Sequence, residues 1–103
     1  MNAETIKSQI DKEIKESGVS SNWHVMNIRD HLIEPVEESY IDSFDQDKSL
    51  MLWTVFEEIA DRSGYKIVYD QSKNSYGLGI RAADDELMFI GYYGTFIETF
   101  KGM

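Results

Sequence analysis

A chain of 103 residues, 42% apolar and 13% aromatic, is long enough for one hydrophobic core and too short for two. It contains no cysteine, which excludes disulfide frameworks, thiolate nucleophiles and cysteine-ligated zinc and fits a reducing compartment. Nineteen acids stand against ten bases, for a net charge of −9. That balance disfavours direct contact with a phosphate backbone or an anionic membrane and favours the steering of a basic protein partner.

No window approaches the ~20 apolar residues needed to cross a bilayer. Met1-Asn2-Ala3-Glu4 has neither the basic nor the apolar region of a signal peptide. A soluble cytoplasmic protein of one domain, residues 1–103, is the expectation.

In chain order, Ile6, Ile10 and Ile14 recur at helical spacing and predict a helix over 3–17, with Asn2 as N-cap and Gly18 just past the C-terminus. Its apolar stripe is narrow, which suits a helix lying on a sheet. The segment from Ser20 to His31 reads as a short helix or irregular structure. Leu32 to Phe44 is acidic and carries Pro35, the only proline, so a strand here is an edge strand or begins after the proline. Glu34, Glu37, Glu38, Asp42, Asp45 and Asp47 fall in a run, 34 through 47, with no basic residue.

Asp45-Gln46-Asp47-Lys48 reads as a turn. Ser49 to Ile59 then reads as a strand with Leu50, Leu52, Thr54 and Phe56 on one face and Met51, Trp53 and Val55 on the other. Apolar residues on both faces point to a strand covered on both sides. Glu57 to Ser63 reads as a helical turn or loop.

Strands over 64–70 and 76–82 form a hairpin across Gln71 to Ser75. In the second strand, Tyr76, Leu78, Ile80 and Ala82 oppose a face made of Gly77, Gly79 and Arg81. Paired glycines cost strand stability, so something sits close against that face: a packed helix or a neighbouring ring, or else a ligand. After a turn at Ala83-Asp84-Asp85, Glu86 to Tyr93 reads as the last strand, with Phe89 opposite in face to Ile90 and Tyr92, and a bulge at Gly91. Thr95-Phe96-Ile97-Glu98 matches a capping box, and Phe96 and Phe100 plug the resulting helix into the core. The fold expected is α+β: an antiparallel meander sheet of four or five strands with an N-terminal helix and a short C-terminal helix.

Candidate chemistry is sparse. Asp45, Asp47 and Ser49 have the spacing that opens a calcium loop, but Leu50 and Phe56 stand where a glycine and a bidentate glutamate are required. His24 and His31 match no metal or catalytic signature, and Gly77-x-Gly79 lacks the third glycine and the helix of a phosphate loop. Glu57-Glu58 and Asp84-Asp85-Glu86 supply paired carboxylates of the type used in proton transfer, which a strand end and a turn explain more simply. No catalytic, metal or cofactor-binding residue is expected. Tyr65, Tyr69, Tyr76, Tyr92 and Tyr93 lie in adjacent strands; any that face solvent beside the acids of 34–47 would form an aromatic and acidic patch able to anchor a basic partner.

The runs Leu52-Trp53-Thr54-Val55-Phe56-Glu57-Glu58, Gly64 to Asp70, Tyr76-Gly77-Leu78-Gly79 and Phe89 to Phe96, ending in Gly102-Met103, are similar to a family of small acidic bacterial proteins. In size and charge these resemble the immunity proteins that protect bacteria from toxins. The similarity spans residues 50–103. It implies a cytoplasmic, non-enzymatic inhibitor of a protein partner such as a toxin domain, and implies no catalytic residues. The partner contacts expected are Glu34, Glu37, Glu38, Asp42, Asp45 and Asp47. Two other readings are a small-molecule-binding or enzymatic domain using the glycine face of 76–82, and a homo-oligomeric subunit assembled through a sheet edge.

Overall fold

The computed structural model describes residues 2–21, 27–59, 64–82 and 86–103. Its order is α1 (Ala3–Ser17), a short 3-10 turn (Arg29–His31), β1 (Leu32–Asp42), β2 (Asp45–Glu57), β3 (Lys66–Asp70), β4 (Ser75–Arg81), β5 (Leu87–Gly94) and α2 (Phe96–Gly102). The segments 22–26, 60–63 and 83–85, which include the expected turn at Ala83-Asp84-Asp85, lie outside the described residues.

The expected α+β class holds, and the sheet is more than an open meander. Each strand pairs antiparallel with the next, and the sheet closes into a five-stranded barrel. The first and last strands of a five-strand meander run in the same direction. Closure is therefore parallel, at Ile41–Met88 and Asp42–Phe89, and the sheet is mixed rather than purely antiparallel.

Both helix expectations hold in detail. The Asn2 side chain accepts from the Thr5 N–H, and Gly18 adopts a left-handed φ of 69° while its N–H reaches the Ile14 carbonyl. Ile6, Ile10 and Ile14 are buried. At α2, Thr95 and Glu98 complete the capping box, and Phe96 and Phe100 pack edge-on against Phe56. The two helices cover one face of the strands, burying Val55, Phe56, Ile67, Tyr69, Tyr76 and Leu78. The inner face of the barrel holds Tyr40, Leu52, Val68 and Phe89.

Bulges correct several boundaries and faces. The turn between β1 and β2 is Ser43-Phe44, and Asp45 to Lys48 belongs to β2. Asp42 makes the tight turn possible by accepting from the Phe44 N–H at 2.9 Å. A register shift between Thr54 and Phe56 moves Phe56 to the helix-covered face, alongside Val55 and away from Leu52. Shifts in the β4–β5 pairing flank Gly91 and bring Tyr92 to the side of Phe89, with ring centroids 4.7 Å apart. Pro35 lies inside β1, at a register irregularity between Leu32 and Val36 where a ladder donor is not required.

Candidate functional site

The glycine face is the first place to look for a ligand, and it is filled by the protein itself. A Cβ on Gly79 would lie 2.7 Å from Cε2 of Tyr40, and one on Gly77 would lie 2.8 Å from Cε1 of Phe89 and 2.3 Å from the Gly91 carbonyl oxygen. Neighbouring aromatic rings inside the barrel therefore account for both glycines. Around them runs a short polar chain. Thr54 donates to Glu38 at 2.6 Å, and a hydroxyl has one proton, so the Tyr40 hydroxyl donates to Thr54, also at 2.6 Å. Lys66, wholly buried, meets Glu57 at 2.8 Å. Buried polar groups are tolerated here because they are paired.

The six acids expected to bind a partner separate into four groups. Glu34 is exposed near α1, where it pairs with Lys7 at 2.9 Å. That carboxylate raises the Lys7 pKa, chiefly through the hydrogen bond. Glu38 is half-buried and turned inward to Thr54. Glu37 is exposed on the opposite face of β1, across from Trp53. Asp42, Asp45 and Asp47 come together at the β1–β2 turn, where Asp45 accepts from the Asp47 N–H at 3.2 Å and lies 3.8 Å from Lys48.

The residue that sequence reasoning missed sits between them. Phe44, in the turn, is 83% exposed, the most exposed large apolar side chain among the described residues. Met51, opposite Ser39 on the outer face, is 58% exposed. The signal for Phe44 is its place between Asp42 and Asp45: a two-residue turn leaves its central side chains in solvent, and the turn lies two residues before the expected Asp45-Gln46-Asp47-Lys48.

Tyr92 joins this end of the barrel. It is 39% exposed, and its hydroxyl donates to the Asp70 carboxylate. Burial, the Asp70 bond and the nearby charges of Asp70 and Asp42 together push its pKa well above the ordinary phenol value. For Asp70, burial likewise raises the pKa, but hydrogen bonds from Tyr92 and Ser72 outweigh it and bring the carboxyl below the usual range. Lys73 lies over the Tyr92 ring at 5.8 Å. Of the other tyrosines, Tyr69 and Tyr76 are buried against each other, whereas Tyr65 and Tyr93 are exposed. The turn thus carries an exposed aromatic ring, Phe44, between Asp42 and Asp45, with Asp47 following, and the Asp42 charge reaches the Tyr92 hydroxyl.

The other candidates are structural. Asp45 to Ser49 is extended strand, not a cation loop. His31 holds the Glu57 carbonyl at 3.1 Å through Nδ1 and packs on Phe56. Glu57 is engaged by Lys66, and Glu58 accepts from the Tyr65 N–H. His24, Asp84 and Asp85 lie outside the described residues. Comparison with protein-family models, with curated proteins and with solved structures finds no match to this chain. No helix among the described residues is long and apolar enough to cross a membrane.

Proposed function

We propose that this chain is a non-enzymatic binding protein that neutralises a basic protein partner, in the manner of an immunity protein against a toxin domain, and that the β1–β2 turn is its contact surface. The observation that carries the reading is Phe44, exposed in solvent between Asp42 and Asp45. An apolar ring held out by a tight turn serves no packing purpose in the free chain. Burying a phenylalanine in a partner's pocket contributes about 1.5–3 kcal/mol, which matches the role of a central aromatic anchor. The acids around it steer a cationic partner and set its orientation more than they add affinity. The filled glycine face supports binding by surface rather than by an internal pocket.

Charge reversal of Asp45 and Asp47 tests this directly. Association with the purified partner should slow by about an order of magnitude or more and lose most of its salt dependence, with the off-rate little changed. Unchanged association kinetics and unchanged salt dependence would remove this surface from consideration.

A further inference from the structure

A cleft lies between α1, the start of β4 and the Gly94-Thr95 segment. The cleft has a volume of about 340 Å³ and is lined by Gln9, Glu13, Asn74, Tyr76, Gly94, Thr95 and Glu98. Two carboxylates line it and no basic residue does. Gln9 and Glu13 are four residues apart on α1 and so present to the same side. Glu13 accepts from the Ile97 N–H at 3.2 Å through Oε1, and Glu98 accepts from the Thr95 N–H at 3.3 Å through Oε1.

Two of the lining residues each carry a buried polar atom with no hydrogen-bond partner among the described residues: the Gln9 Oε1 and the Tyr76 hydroxyl. Tyr76 is 3% exposed, with its ring fixed by Tyr69 at 4.7 Å and Phe96 at 5.8 Å. An unpaired hydroxyl held so rigidly is costly, and such groups in native proteins require an explanation. Burial and then the Glu13 charge raise the phenol's pKa, so the group stays protonated. The cleft exceeds the ~30 Å³ share of one water roughly tenfold.

We propose that this cleft binds a primary ammonium group, which donates to Glu13, Gln9 Oε1 and the Tyr76 oxygen. The ammonium belongs either to a free small amine or to a lysine side chain presented by another protein. Its three donors on one nitrogen match three acceptors on two elements. A charge-assisted contact with Glu13 supplies most of the binding.

The test is a titration of the ¹⁵N-labelled full chain with putrescine, and separately with Nα-acetyl-lysine amide, against potassium chloride at equal ionic strength. Saturable shifts are expected at the Gln9 side-chain amide and the Ile97 and Thr95 backbone amides. Glu13→Gln keeps an acceptor for Ile97, and Tyr76→Phe removes only the unpaired hydroxyl, so both variants should fold. Each should bind at least ~tenfold more weakly, the factor that corresponds to losing one hydrogen bond to a charged group. Binding of putrescine points to a free amine, and binding of the lysine amide alone points to a protein side chain. Shifts no larger than those from potassium chloride, or equal affinity in both variants, would overturn the assignment and leave the cleft to water. Phe44→Ala should leave the titration unchanged, which keeps this test separate from that of the β1–β2 turn.

Discussion

Replacing Gly77 with alanine should be among the most damaging single-methyl changes this chain can receive. The new Cβ would lie 2.3 Å from the Gly91 carbonyl oxygen, whereas ordinary contact begins near 3.4 Å. Relief needs roughly an ångström of movement, and the obstacle is backbone, so no side chain can rotate away. Strand β5 must move from β4 in the middle of their pairing, at the Gly77–Tyr92 register. Overpacking of this kind costs about 3 kcal/mol at the upper end of its range. Alanine recovers about 0.4–1 kcal/mol by restricting the unfolded chain. The net loss is about 2 kcal/mol, which for a domain of this size lowers Tm by ~8–16 °C. Urea and thermal unfolding followed by circular dichroism measure it. Gly91→Ala is the control, because its Cβ meets nothing within 4 Å. It should be neutral or stabilise by up to about 1 kcal/mol. A Gly77→Ala protein as stable as wild type, or a Gly91→Ala protein equally damaged, would refute the packing argument.

Lys66→Ala removes the buried ammonium that meets Glu57 at 2.8 Å and should cost about 3–5 kcal/mol in urea unfolding; a loss below ~1 kcal/mol would show that the pair is dispensable. The raised Tyr92 pKa means that the folded state holds this proton more tightly than the unfolded state does. Its contribution is fully present below about pH 10, the unfolded phenol value, and is lost as pH rises through the folded value. Tyr92→Phe should therefore flatten the alkaline limb of the stability–pH curve, and an unchanged limb would rule out that role. Asp70 behaves oppositely: its lowered pKa gives stability above about pH 4 that disappears on acidification, and Asp70→Asn should flatten the acid limb. Phe44→Ala should change stability by no more than about 0.5 kcal/mol, because the ring is exposed; a larger loss would mean that it packs in the free chain.

The legible parts of the fold were those written in local chemistry. The Ile6, Ile10, Ile14 spacing, the Asn2 and Gly18 caps and the Thr95–Glu98 capping box each specify geometry within a few residues, and each was realised. The glycine face was also legible as a close approach, although only the structure shows that the rings are Tyr40 and Phe89. What the sequence concealed were single-residue insertions. A bulge costs one residue and leaves composition untouched, yet it reverses the face of everything beyond it. Phe56 and Tyr92 lie on the faces opposite to those expected for this reason. Barrel closure was hidden too, since it rests on the pairing of Ile41 and Asp42 with Met88 and Phe89, some 47 residues away in sequence. At the candidate surface, the acidic run was visible but its spatial division was not. Alternation along β1 sends Glu38 inward and leaves Glu37 in solvent, and a turn at Ser43-Phe44 exposes an aromatic ring that the acidic stretch alone does not mark as a turn residue.

Affinity capture from an extract of the native cell, at low and high salt, tests whether the Phe44 turn grips a basic protein. Wild type is compared with a Phe44→Ala, Asp45→Lys, Asp47→Lys variant, and bound proteins are quantified by mass spectrometry. The account predicts one dominant basic protein, held by wild type, weakened by salt and absent from the variant. The same protein held equally by both chains, or no protein held by wild type at low salt, would contradict it.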